Sequence, residues 1–125
     1  MSTLKADTIQ NTSGGAATLT KQSAAKSWMH LNGNGTIAIQ DSFNVSGVTD
    51  VNTGSYTQTH TNAMSNALYS AQLTTNRAVT TNNSSIQHID GTFTSALLNI
   101  LLVRHDNAAS EDSTRVMTSV HGDLA

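Results

Sequence analysis

Five histidines are the residues of this chain best suited to bind a metal ion or to move a proton. They are His30, His60, His88, His105 and His121. None is spaced like the paired ligands of a known motif, such as two histidines four residues apart on a helix. They could converge in the fold, or line up around an oligomer axis and hold an ion there, but ordinary packing or surface positions are the simpler interpretation. The sequence predicts no metal and no other cofactor.

Carboxylates are few and form no recognisable catalytic pair. Glu111 is the sole glutamate, and it adjoins Asp112 in a polar segment that also holds Asp106. Asp50 and Asn52 begin like a calcium loop, but the later ligands of such a loop are missing. We interpret that stretch as a hairpin loop with side-chain turns.

Motifs for nucleophilic or nucleotide chemistry are also missing. The sequence has no Gly-x-Ser-x-Gly elbow and no cysteine. Its Gly33-Asn34-Gly35 stretch precedes a predicted strand and not the helix N-terminus that a phosphate site requires. The sequence therefore predicts a protein that is not an enzyme.

Small polar residues dominate the composition. Thr, Ser and Asn contribute 19, 15 and 12 of the 125 residues, whereas charged residues reach 11% and the formal net charge is −2. Six scattered Lys and Arg residues cannot form a phosphate-binding face, so we expect no nucleic-acid partner. The longest apolar run is far shorter than a bilayer, and the N-terminus lacks an apolar signal core, so neither membrane insertion nor export is expected.

Turn signals separate short alternating segments, which indicates an all-β fold. Asn32-Gly33-Asn34-Gly35 between two apolar runs predicts a hairpin, because Asn and Gly tolerate the positive φ of tight turns. Residues 50–54 predict the five-residue loop of a second hairpin, and Gly47 a bulge that restores the alternation. Residues 113–121 predict a last strand. The length suits one domain, and we expect an antiparallel β-sandwich, jelly-roll-like, over residues 21–125.

One segment, residues 97–103, is apolar at both odd and even positions. Its apolar residues are Leu97, Leu98, Ile100, Leu101, Leu102 and Val103. A strand of this kind is buried on both faces, which requires a covering loop or a neighbouring subunit, and an oligomer is the simpler solution. An amphipathic helix is the alternative, because the leucines also fit a spacing of three to four.

Residues 1–20 read as an extended lead-in with little apolar surface of its own. Leu4 and Ile9 are its first large apolar groups, and Gly14-Gly15 interrupts it. Fully extended, twenty residues reach ~66 Å. The segment is either a loose tail or an arm that packs on a neighbour through Leu4 and Ile9.

The five aromatic residues allow two interpretations. Trp28 or the tyrosines, Tyr56 and Tyr69, could form a platform on which a sugar stacks, but their place in alternating strands favours core packing. We therefore predict a core that is built from Trp28, Ile37, Ile39, Phe43, Val45 and Tyr56.

Several segments resemble proteins of bacteriophage particles. Residues 2–15 (STLKADTIQNTSGG) resemble a lead segment that recurs in virion structural and tail-fibre proteins of phages of marine and freshwater bacteria, cyanophages among them. Residues 28–33, 41–46, 53–57 and 62–64 resemble the β domain that follows this lead, and residues 116–123 resemble its closing strand, where an aromatic is expected in place of His121.

The resemblance implies a non-enzymatic tail or tail-fibre component of the virion, assembled in the cytoplasm of the bacterial host. It further implies a homo-oligomer, with a trimer favoured, whose N-terminal arm docks to other virion proteins. A capsid decoration protein is one alternative. A lectin-like module, or a carbohydrate-directed enzyme, that contacts a glycan of the host surface is another.

Overall fold

A computed structural model of the protein describes residues 12–13, 24–76, 85–89, 91, 94–104 and 107–125, and of residues 85–89 the backbone alone. Most of the predicted arm, including Leu4 and Ile9, lies outside the described residues, as do His105, Asp106 and Phe93. The described residues contain no helix long and apolar enough to cross a membrane.

Eight strands form in the described residues, and the fold is all-β. They are β1 (Ser27–Asn32), β2 (Ala38–Phe43), β3 (Val45–Asn52), β4 (Ser55–His60), β5 (Ser70–Thr75), β6 (Ser85–Ile89), β7 (Leu97–Arg104) and β8 (Val116–His121). Every pairing is antiparallel. The strands make two four-stranded sheets with the orders β2-β1-β8-β5 and β3-β4-β7-β6, an arrangement consistent with a β-sandwich.

Both predicted hairpins are confirmed, with one difference of length. β1 pairs with β2 across the Asn-Gly segment, and β3 pairs with β4. The predicted five-residue loop over residues 50–54 is wrong, because β3 continues to Asn52 and leaves Thr53 and Gly54 as the turn. The register of β3 shifts between Val45 and Gly47, so the predicted bulge is confirmed.

The chain passes from one sheet to the other at Asn44, between β2 and β3. Its φ of 57° lies in the left-handed region, which asparagine tolerates better than most residues. The Asn44 side chain donates to the carbonyls of Lys26 and Asn62, each at 3.0 Å, and accepts from the Asn62 amide at 2.7 Å. These bonds hold the corner that directs Phe43 and Val45 into different sheets.

The hydrophobic core lies between the sheets and comes from alternate positions of the strands, with two further residues from the segment between β4 and β5. Its buried members are Met29, Leu31, Tyr56, Met64, Tyr69, Leu98, Ile100, Leu102, Val116 and Val120. Ile37 and Val45 pack against it, as predicted. The prediction that Trp28, Ile39 and Phe43 lie in the core is wrong, because their side chains are 36%, 38% and 53% exposed.

Residues 97–103 form a strand, so the helical alternative is excluded. Leu98, Ile100 and Leu102 point into the core and are buried, with exposures of 0%, 1% and 0%. Leu97, Leu101 and Val103 alternate with them and are half-buried. Within a single chain, therefore, only one face of β7 is fully covered.

Candidate functional site

The outer face of the β2-β1-β8-β5 sheet carries the most prominent exposed aromatic groups of the described residues. On β1 the residues Ser27, Met29 and Leu31 are buried, so the residues between them point outward. The same alternation on the other strands defines what we call the tryptophan face. It consists of Trp28, His30, Asn32, Asp41, Phe43, Ser70, Gln72, Thr74, Met117, Ser119 and His121.

Strand register orders these side chains into two rows across the sheet. Phe43, Trp28, Ser119 and Gln72 occupy the first row, since each is paired with the next. Asp41, His30, Met117 and Thr74 occupy the second row in the same way. Directly paired side chains lie about 5 Å apart at Cβ, so the first row places two aromatic rings beside hydrogen-bonding groups.

A shallow depression adjoins the second row. It is lined by His30, Asn32, Gln40, Thr114 and Arg115. Gln40 reaches this position because the register of β2 against β1 shifts between His30 and Leu31. All five lining side chains can form hydrogen bonds, and one carries a charge.

Asn76 fixes the rim of the depression on its β8 side. Its side chain donates to the Thr114 hydroxyl at 2.8 Å and accepts from the Arg115 amide at 3.0 Å. The rim is therefore positioned by side-chain bonds of a residue distant in sequence.

The opposite outer face, on the β3-β4-β7-β6 sheet, is built differently. On β7 its apolar groups are the half-buried Leu97, Leu101 and Val103, which we call the leucine face. Leu97 is paired with Thr59 and Leu101 with Ser55, so short hydroxyl side chains flank the leucines on the β4 side, while β6 lies on the other side. On its β4 side this surface offers apolar contacts beside small polar groups.

A buried polar network joins the two sheets beneath the tryptophan face. Gln58 on β4 donates to the Ser27 hydroxyl at 3.1 Å and accepts from the Thr118 hydroxyl at 2.7 Å. His60 Nδ1 lies 3.1 Å from the same Ser27 oxygen. These groups are at most 5% exposed, so their hydrogen bonds replace those lost to water.

His60 is held neutral by this environment. Burial lowers the pKa of its imidazole below the ordinary value of 6.5, and a backbone contact at Asn44 opposes the shift. Its Nε2 atom is buried without a hydrogen-bond partner among the described residues. The edge of the ring faces Tyr69, with centroids 5.9 Å apart. His60 is thus a core residue, with no access to a ligand on either outer face.

Asp112 ties the far end of β4 to the segment before β8. Its Oδ1 atom accepts from the Gly54 amide at 2.7 Å and from the Tyr56 hydroxyl at 2.8 Å. Burial, and next the neighbouring Asp112, raise the pKa of Tyr56. The Asp112 carboxylate therefore has a structural role, since it accepts hydrogen bonds within the fold.

Among the remaining histidines, only His30 and His121 have described side chains. His30 and His121 lie on the tryptophan face, where His121 Nε2 is 3.1 Å from the Ser119 hydroxyl. His88 is on β6, at a position where only the backbone is described. No three metal-binding side chains cluster within the described parts of the chain.

Sequence reasoning missed both the exposure of Trp28 and the role of Gln58, although a parity signal existed for each. Met29 and Leu31 share one parity of β1, while Trp28 shares the other with polar His30 and Asn32. Gln58 shares the parity of Tyr56, which is buried. Neither tyrosine offers a sugar platform, since Tyr56 and Tyr69 are 1% and 7% exposed.

No protein-family model matches the sequence, and no curated protein or solved structure matches it.

Proposed function

We propose that this chain is a non-enzymatic structural protein of a bacteriophage particle, a tail or tail-fibre component that associates with copies of itself. The leucine face is the observation that carries the self-association. Leu97, Leu101 and Val103 are half-buried in the single chain, and a neighbouring copy would remove their remaining surface from water. The resemblance of residues 2–15 to phage lead segments supports a place for this chain in a phage particle.

In this proposal the arm and the β domain have different tasks. Leu4 and Ile9 anchor the arm to another virion protein, and the β domain associates through the leucine face. We favour a homotrimer. Both the homotrimer and the jelly-roll-like arrangement of the strands remain predictions. Closed symmetry suits such a subunit because identical faces can then cover one another without leaving an open end.

Mass measurement tests the association directly. The full chain should elute as an oligomer in light scattering, and Leu101→Asp should give a monomer or an aggregate, because a carboxylate would be buried at the interface without a partner. Thr59→Lys, paired with Leu97, tests the same face without removing an apolar group. Leu68→Asp is the matched control, since Leu68 is 92% exposed. A monomeric wild type, or an oligomer that survives both face variants, refutes self-association through this face.

Particle membership needs a separate experiment. Mass spectrometry of gradient-purified particles from an infected host should detect peptides of this chain at a constant ratio to the other virion proteins. Absence from intact particles that are made while the protein is expressed refutes the structural role.

A further inference from the structure

We infer that the tryptophan face is a binding site for an uncharged oligosaccharide. The inference goes beyond the structural role and does not depend on it, because it rests on the outer face of the other sheet. Its basis is the pairing of Trp28 with Phe43, two aromatic groups that remain exposed where the sequence predicts core packing.

The position of Trp28 makes its exposure costly and therefore informative. β1 is an inner strand, flanked by β2 and β8, so its outward side chains stand on a surface supported from both sides. Phe43 is on the neighbouring edge strand, with 53% of its surface exposed. An isolated exposed apolar residue is ordinary, but two paired aromatic rings on a sheet face form a platform for a ring-shaped ligand.

The size of the platform favours a small ligand over a protein. A buried aromatic side chain covers about 200 Å², so Trp28 and Phe43, at 36% and 53% exposure, offer roughly 180 Å² between them. A stable protein interface buries about 800 Å² on each partner. Somewhat more than half of that area is apolar, about 450 Å², so the exposed aromatic area suits one or two sugar rings better than a second copy of this chain.

The side chains around the rings supply the polar half of a saccharide site. Ser119 and Gln72 complete the row of Trp28 across the sheet. His30, two residues beyond Trp28 on the same face and therefore about 7 Å away, leads into the depression that Asn32 and Gln40 line. Sugars present apolar C–H faces and hydroxyl rims, and both find complementary groups here.

Charge around the face favours an uncharged ligand. Asp41, on the edge strand β2, is paired with His30, and Arg115 lines the depression at one end. Lys26 precedes β1 at the opposite end. Because these charges are single, separated and of both signs, the face has no concentrated field to recruit a polyanion.

Binding can be followed at the site itself, because Trp28 is the sole tryptophan of the chain. The probes are soluble uncharged polysaccharides (an α-glucan, a β-glucan, a mannan and a galactan) and an array of neutral and acidic oligosaccharides. At least one neutral glycan should bind the full-length protein, shift the Trp28 emission and reduce its quenching by acrylamide. The same polysaccharide should retard the protein in a native affinity gel.

Variants assign the binding to the face. Trp28→Ala should raise the dissociation constant from the affinity gel at least tenfold, and Phe43→Ala should raise it less. Trp28→Phe should recover part of the affinity, because it keeps an aromatic ring. Leu68→Ala is the control, since Leu68 is an exposed apolar residue outside the face and should leave binding unchanged. Thermal unfolding of the Ala variants separates lost binding from lost folding. Trp28→Ala should lower the melting temperature, because only 36% of Trp28 is exposed, but the variant should remain folded at the temperature of the binding assay.

Four results would overturn the inference. They are no response to any neutral glycan, retention of binding in Trp28→Ala, binding confined to acidic glycans and lost in Arg115→Gln, and a fall in oligomeric mass in Trp28→Ala, which would make a second copy the occupant. The first three leave the leucine face untouched, whereas the fourth would move the contact between copies to the tryptophan face. Loss of the oligomer in Leu101→Asp would leave glycan binding intact.

Discussion

Replacing Gly54 by alanine should destabilise the protein far more than the same change at Gly35. Both glycines lie in the left-handed region, with φ values of 69° and 68°, so both variants carry the same backbone cost of about 1–2 kcal/mol. They differ in the space around the new methyl group. A Cβ at Gly35 meets nothing within 4 Å, whereas a Cβ at Gly54 would lie 2.6 Å from the Leu102 carbonyl oxygen.

The clash at Gly54 cannot be relieved by a side-chain rotation, because every close atom belongs to the backbone. The methyl group would also lie 2.7 Å from the Glu111 oxygen and 2.8 Å from the Glu111 nitrogen. Moving the turn away would weaken the bond from the Leu102 amide to the Gly54 carbonyl, at 2.7 Å, and the bond from the Gly54 amide to Asp112. A neutral bond contributes about 1 kcal/mol and a bond to a charged group about 1.5–3 kcal/mol.

Together these effects predict a loss of about 4 kcal/mol in the free energy of unfolding for Gly54→Ala. For Gly35→Ala the expected loss is about 1 kcal/mol, because a less flexible unfolded chain offsets part of the backbone cost. Urea unfolding of both variants, followed by far-ultraviolet circular dichroism, measures the difference. A Gly54→Ala variant that does not fold at all would also agree with the predicted loss of stability. Equal losses at the two positions would show that the close backbone contact around Gly54 is not present in solution.

Two further predictions concern acid stability and the arm. Burial lowers the pKa of His60 below 6.5 in the folded chain. On acidification the unfolded chain therefore binds a proton at His60 at a higher pH than the folded chain does. The stability contributed by neutral His60 is therefore complete above pH 6.5 and falls below it by up to about 1.4 kcal/mol per pH unit, a slope that His60→Phe should reduce. Unfolding free energies at pH 7.5 and pH 5 measure it, and equal slopes in both proteins would contradict the burial of His60. Separately, deletion of residues 1–15 should leave the thermal stability of the β domain unchanged while abolishing incorporation into particles. A large fall in stability would place the arm inside its own fold.

Local sequence was sufficient for the strands and for most turns. The period of two in residues 56–60 and 116–121 matches β4 and β8, and the Asn-Gly segment matches the first hairpin, because both signals depend on neighbouring residues alone. The seven-residue run at 97–103 was open to a helix or a strand. Its pairing with β4 and β6 decided for the strand, and that pairing involves residues remote in sequence.

The candidate site was less accessible to the sequence, because it depends on which parity of a strand meets the core. Trp28 and Met29 are both large and apolar, so composition alone does not select the inward one. In the folded chain Met29 is 1% exposed and Trp28 is 36% exposed, since Met29 shares the parity of buried Leu31 and of Ser27, which bonds to β4 across the core. Phe43 follows Trp28 outward because the two are paired.

The sequence by itself therefore determined an all-β chain of short hairpins, because alternation and turn chemistry are local properties. The tertiary structure alone decided that Phe43 is paired with Trp28 on one outer face, and that Gln58 reaches Ser27 and Thr118 across the core. The physical reason is the same in both cases. A side chain's environment is set by the strand paired beside it and the sheet packed against it, and both come from distant parts of the chain.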